Sequence, residues 1–222
     1  MIDVSDVSDV GDLHDVVVVG VGAMGSSAAW ALSKAGHDVV AVEQFPFGHD
    51  RGSSHGASRI YRVGTEQTHY LDLAQRARVL WGELEAATGE QLLTVQGAVE
   101  HGVTQEQVDA FVEHLRVRDI EHEVLDPGDA ADRWPGMRFD GPVLHQPDGA
   151  GRIDGDQAVA ALTAAARGHG AQVRRPLAAT AVDVRHDDLV HVHTPSGVCT
   201  WTRSSWRTST AVAASGLRTC AP

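Results

Sequence analysis

The stretch Asp15-Val16-Val17-Val18-Val19-Gly20-Val21-Gly22-Ala23-Met24-Gly25 decides how this chain folds. Four successive β-branched valines suit a buried strand. The glycines that follow have separate jobs: Gly20 allows a tight turn, Gly22 lets the backbone approach a pyrophosphate, and Gly25 lets a helix pack closely on the strand. A pyrophosphate at that helix start meets unpaired N–H groups and the positive end of the helix dipole. A second apolar strand, Val39-Val40-Ala41-Val42, ends at Glu43. A carboxylate there can accept hydrogen bonds from both ribose hydroxyls of an adenosine. The glycine motif alone is weak evidence. Set between strand and helix and followed by this acid, it specifies a βαβ dinucleotide-binding unit over residues 15–43, with a helix over 25–34 closed by Gly36.

Bulk properties remove several function classes. A core is feasible at 222 residues, in one large domain or two small ones. A formal charge of −12 and a pI near 5.4, with no basic stripe, argue against nucleic acid as a partner. No apolar run is long enough to span a bilayer, and the acidic N-terminus lacks the basic start and apolar core of a signal peptide. The expectation is a cytoplasmic protein with no membrane partner. Cys199 and Cys220 are the only cysteines, so neither a disulfide framework nor a thiolate metal site is expected. His191 and His193 alternate on a strand and could face one metal, but no third ligand is evident, so no metal is assigned.

Outward from the βαβ unit, residues 1–14 carry a near-repeat of Asp-Val-Ser and read as a flexible acidic tail. Residues 45–58 form a loop rich in Gly, Ser, Pro and His, too long for a simple connector. Over 69–87, Tyr70, Leu73, Ala77, Leu80, Trp81 and Leu84 recur at helical spacing, with Trp81 expected in the core and Gly89 as the stop. From about residue 91 the character changes to α+β. A strand or hairpin spans 92–100. Thr104-Gln105-Glu106-Gln107 is a capping box opening a helix with Val108, Phe111, Val112 and Leu115 on one face. Another strand covers 120–125. Asp154 is the expected N-cap of an Ala-rich helix to 167, followed by strands at 171–174, 181–185 and 189–193 and a turn at Pro195-Ser196-Gly197.

The segment Gly52-Ser53-Ser54-His55-Gly56-Ala57-Ser58-Arg59-Ile60-Tyr61-Arg62 carries a more specific signal. Together with the glycine motif, Leu80-Trp81-x-x-Leu84 and Arg133-Trp134-Pro135-Gly136, it resembles the monomeric sarcosine oxidase and N-methyltryptophan oxidase branch of the FAD-dependent amine oxidases, over about residues 15–198. The resemblance implies an α/β protein with a glutathione-reductase-type, Rossmann-like FAD-binding fold and an inserted α+β substrate domain. The expected division is a tail at 1–14, FAD-binding parts at 15–90 and 151–198, and the insertion at 91–150. The resemblance also implies oxidation of a secondary amine, N-methyl or related amino acids, to an imine, with oxygen as the second substrate and hydrogen peroxide as product. By position, Gly20, Gly22, Gly25 and Glu43 match the family's FAD contacts, and Ser54 and Ser58 join them as cofactor-binding. His55 and Arg59 match residues beside the flavin ring, and Arg62 matches an arginine that clamps the substrate carboxylate. Their chemistry is apt, since a planar guanidinium makes two parallel hydrogen bonds to a carboxylate and positive charge favours the anionic reduced flavin.

Blander readings compete. Taken alone, Arg59 and Arg62 read as surface cations paired with this chain's many carboxylates, and His55 as a loop histidine. The pattern at 52–62 outweighs them. The family's C-terminal half is expected to be missing after residue 198, and the Ser/Thr-rich tail from about 199 reads as a frameshifted translation, with a divergent natural terminus as the alternative. Two rival functions remain open: an inactive truncated product, and an NAD-dependent dehydrogenase sharing the βαβ unit.

Overall fold

The structure is a computed structural model that describes residues 13–63, 68–184 and 189–202. It divides into two units, one reaching Gly56 and resuming at Gly155, the other spanning Ala57–Asp154. The first opens with β1 (Leu13–His14), β2 (Val16–Val19), α1 (Ala23–Lys34) and β3 (Val39–Val42). The second supplies β4 (Arg59–Arg62), α2 (Thr68–Thr88), β5 (Leu93–Val95), β6 (Ala98–Glu100), α3 (Gln105–Val117), β7 (Glu123–Leu125), α4 (Pro127–Arg133), β8 (Val143–Gln146) and β9 (Ala150–Ile153). The chain returns to the first unit with α5 (Gly155–Gly168), β10 (Gln172–Arg174), β11 (Ala181–Val184), β12 (Leu189–Thr194) and β13 (Gly197–Thr202).

In the first unit, β10, β3 and β2 form a parallel sheet in that order, with Val16 opposite Val39 and Val19 opposite Val42. Every residue of β3 is buried, as the continuous apolar run requires of a central parallel strand. Each such valine contributes about 1.5–3 kcal/mol relative to exposure. Helix α1 packs on α5 and β3 through Gly25, Ser26, Ala29, Trp30 and Ser33. Its buried serines stay satisfied because Ser26 donates to the Gly22 carbonyl at 2.8 Å and Ser33 to that of Trp30 at 3.1 Å. The tightest approach is at Gly25, where a Cβ would stand 1.8 Å from the Gly20 carbonyl oxygen.

A second sheet in this unit has the order β1-β13-β12-β11. Two expectations shift here. The flexible tail was expected to include residues 13 and 14, yet both pair in β1, and His14 is buried with Nδ1 2.9 Å from Asp38 Oδ2. The departure from the fold was expected at about 199, yet Cys199 to Thr202 pair with β12 on one side, and Thr200 and Trp201 with β1 on the other. Ladder hydrogen bonds use only backbone groups, and Val, Thr and Trp suit an extended chain. The remaining tail calls, at 1–12 and from 203 onward, lie outside the described residues.

The second unit holds two antiparallel sheets, β4-β9-β5 and β6-β8-β7. Its N-terminal boundary falls at 56/57 rather than 90/91, and its end at 154/155 rather than 150/151. Long-range pairing is the reason: Arg59 lies opposite Ile153 and Arg62 opposite Ala150, which makes β4 part of this unit. The Tyr61 hydroxyl then donates to the Ala74 carbonyl at 3.0 Å, tying α2 to β4. Burial pushes the Tyr61 phenol above its ordinary pKa, with Arg78 opposing, so the hydroxyl remains a donor. The capping box forms as expected: Gln107 N–H donates to Thr104 Oγ1, and Thr104 N–H to Gln107 Oε1. Helix α5 begins at Gly155. No helix among the described residues is long and apolar enough to cross a membrane.

Gly25→Ala is expected to cost about 2–3 kcal/mol of unfolding free energy, because strand and helix must separate to admit one methyl group. Gly82→Ala in α2 meets nothing within 4 Å and is expected to be neutral or to stabilise by up to ~1 kcal/mol. Urea denaturation of the two variants checks the contrast, and equal stabilities would remove the packing argument.

Candidate functional site

A cleft of about 770 Å³ opens in the first unit, lined by the turn from Val19 to Gly25, the end of β3, the loop to His55, the start of α5 and Arg175. Its position follows from the fold. Parallel strands deliver their C-terminal ends to one edge, and ligands of open α/β sheets bind there. Gly20 has φ of +90°, a conformation that side-chain-bearing residues rarely adopt, and its N–H donates to the Val42 carbonyl at 2.8 Å.

Glu43 is the electrostatic centre of the cleft. Only 7% exposed, its carboxylate accepts from Val21 N–H at 2.8 Å through Oε2 and from Phe45 N–H at 3.1 Å through Oε1. His49 Nε2 lies 3.8 Å from Oε1. The backbone of Glu43 is fixed as well: its N–H donates to the Arg174 carbonyl at 3.1 Å, and its carbonyl accepts from Leu177 N–H at 2.6 Å. A carboxylate has about four acceptor sites, so two remain for the hydroxyls of a ribose.

The start of α1 has the form needed for phosphate. Gly22 is the N-cap and offers no side-chain cap, and a Cβ placed on it would stand 3.0 Å from Ser54 Oγ. Ser54 Oγ instead accepts from Ala23 N–H at 3.0 Å, bringing the loop over the helix start. The far end of that loop is pinned to α5, since Gly56 N–H donates to Asp156 Oδ1 at 2.9 Å and Gly155 N–H to the Gly56 carbonyl at 3.0 Å. The glycine turn, the acid with spare acceptors and the exposed helix start together fit the diphosphate and adenosine of FAD.

The structure therefore brings Gly20, Gly22, Gly25, Glu43, Ser54 and His55 into one cleft lining. Ser58, Arg59 and Arg62 belong to the other unit. There, Arg59 and Arg62 stand exposed on β4; Arg59 Nη1 donates to the Ser58 carbonyl at 2.7 Å, and Arg62 Nη1 lies 3.6 Å from Glu100 Oε1. On β12, His193 Nε2 lies 3.3 Å from Asp183 Oδ2, and no group of three His, Cys, Asp or Glu side chains converges among the described residues.

Among the cleft residues that the sequence did not single out are Phe47, His49 and Arg175. Phe47 and His49 sat in a loop whose length signalled function without naming positions. Arg175 follows an expected strand directly, and that position was the available signal. Burial pulls its guanidinium below the ordinary arginine pKa, while the Glu43 carboxylate acts the other way.

The family described as FAD dependent oxidoreductase matches residues 15–220. The chain is 31% identical over 186 residues to the monomeric sarcosine oxidase of Bacillus sp. (strain NS-129), covering 82% of this chain and 48% of that protein. It is 38% identical over 124 residues to the putative sarcosine oxidase of Caenorhabditis elegans, covering 56% of this chain and 32% of that one. Among solved structures, NikD, an unusual amino acid oxidase essential for nikkomycin biosynthesis, superposes with a TM-score of 0.71 at 27% identity, over 86% of this chain and 50% of its own. Glycine oxidase from Geobacillus kaustophilus shares the fold, with a TM-score of 0.69. The chain thus spans about a third to a half of the length of the curated relatives it matches. The FAD match also sets aside an NAD-dependent dehydrogenase as the reading of the βαβ unit.

Glu43→Gln keeps one acceptor for the backbone but loses the charge that strengthens hydrogen bonds to ribose. FAD affinity, read from quenching of flavin fluorescence, is expected to fall at least about tenfold, equivalent to ~1.4 kcal/mol. Unchanged affinity would remove Glu43 from the cofactor site.

Proposed function

We propose, since this chain belongs to the FAD dependent oxidoreductase family, that its protein oxidises the secondary amine of N-methyl or related amino acids. The observation that carries the reading is the Gly20–Gly25 turn and the buried Glu43 carboxylate meeting in one cleft, in a chain resembling sarcosine oxidases. Bound FAD supplies the two-electron acceptor that takes the amine to an imine, with oxygen reduced to hydrogen peroxide.

The chain's own residues bind and orient. The first turn of α1 offers its dipole, and the N–H groups that Ser54 does not take, to the diphosphate, with Ser54 Oγ packed beside Gly22 at the rim of the turn. Glu43 holds the ribose. Ser54 and Ser58 are assigned to the cofactor, and His55 and Arg59 to the flavin end, where positive charge stabilises an anionic ring. Arg62 takes the substrate carboxylate through its planar fork. Its exposed pair with Glu100, at 3.6 Å, is of the kind worth about 0–1 kcal/mol, so exchanging it for a substrate carboxylate costs little.

A protein that also carries the family's C-terminal half is expected, with FAD bound, to produce peroxide from sarcosine or N-methyltryptophan and none from methylamines lacking a carboxylate, whereas the 222-residue chain alone is expected to lack oxidase activity even with FAD supplied. Arg62→Lys keeps the charge but loses the fork, so KM should rise about tenfold with flavin content unchanged. A peroxidase-coupled assay reads both. Equal oxidation of a carboxylate-free amine would remove the clamp, and silence of the longer protein with every amine would favour a product without enzymatic role.

A further inference from the structure

Strand order fixes what each strand end can meet. Because β10, β3 and β2 are parallel and adjacent in that order, their C-terminal ends place Arg175, Glu43 and Gly20 in the same order along one sheet edge. A dinucleotide lying with its diphosphate on the Gly20 turn and its ribose on Glu43 has its base next in line, at the end of β10. Arg175 stands there.

The guanidinium is held but poorly satisfied. Arg175 Nη2 lies 3.5 Å from the Val21 carbonyl and 3.4 Å from Thr163 Oγ1, at the long limit of hydrogen bonding. Its buried Nε has no partner among the described residues. The guanidinium carbon sits 5.5 Å from the centroid of the Phe47 ring, and Phe47 lines the same cleft while 65% exposed. An exposed aromatic ring and an under-committed planar cation, side by side at the place where a base must lie, form a stacking surface without its third member. A purine offers the π-face both would meet.

We propose that Arg175 and Phe47 form the adenine subsite of the cleft, gripping the base by stacking and cation–π contact and so favouring FAD over FMN. The inference rests on the FAD reading of the cleft. A phosphate contact is the competing assignment, because Arg175 Nη2 also reaches the Val21 carbonyl of the glycine turn at 3.5 Å, and the FMN arm of the test separates the two. The Glu43 carboxylate also favours the charged form of Arg175.

The test measures Kd for FAD, ADP and FMN on the full 222-residue chain and on Arg175→Leu, Arg175→Lys and Phe47→Leu, by calorimetry or flavin fluorescence. Arg175→Leu is expected to weaken ADP and FAD about tenfold and leave FMN unchanged. Arg175→Lys, with the charge but not the plane, should fall between. Phe47→Leu should weaken ADP about threefold, and it changes an exposed loop residue, so it stands even if the arginine variants fail to fold. Unchanged ADP affinity in the Phe47 variant and any folded Arg175 variant overturns the subsite while leaving FAD in the cleft. An equal loss for FMN overturns it in favour of a phosphate contact. An unmutated chain that binds neither FAD nor ADP overturns the cofactor reading and the subsite with it.

Discussion

The cleft depends on a side chain that is not there. With any Cβ at residue 25, the first turn of α1 could not lie against the Gly20 carbonyl, since that atom would stand 1.8 Å from it. The close approach sets where α1 begins, and therefore where Val21 N–H points. That N–H meets Glu43, so the end of β3 is referenced to the glycine turn through one 2.8 Å hydrogen bond. Steric freedom at Gly25 thus becomes electrostatic placement at Glu43, on the neighbouring strand, set by one missing methyl group.

A carboxylate as buried as Glu43 requires compensation, because desolvating a charge without partners is costly. Two backbone N–H groups provide part of it, and the nearby helix start adds the favourable end of its dipole. Arg175 supplies the opposite charge at longer range. None of these partners exhausts the acceptor sites of the carboxylate. A group held rigid, charged and incompletely satisfied is prepared for a ligand that brings hydroxyl donors, and binding then incurs little reorganisation.

How much of this was legible follows the range of each signal. The βαβ unit and the capping box at Thr104 were readable because each is decided within a short stretch, by glycine geometry or by two side chains three residues apart. The boundary between the units was not, because β4 is assigned by pairing with β9, far along the chain, while nothing local distinguishes residue 57 from residue 90. The same holds for β13, whose Thr200 and Trp201 pair with Leu13 and His14 at the opposite end of the described chain. Arg175 was hidden for a related reason: its place beside Glu43 comes from strand order, and strand order leaves no trace in local hydrophobic patterning.

The insertion of the second unit bears on the entropic cost of closing the first. Gly56 and Asp156, one hundred residues apart in sequence, are joined by a hydrogen bond within the first unit. Closing a flexible loop of that length carries an entropic cost of about 4 kcal/mol beyond the constant term. The inserted unit removes most of that cost by its own assembly, because its β4 and β9 bring Arg59 opposite Ile153, a few residues from each crossing point. An insertion that has already folded acts as a short clip rather than a long tether. The returning helix α5 then meets α1 almost as if the two followed one another in the chain.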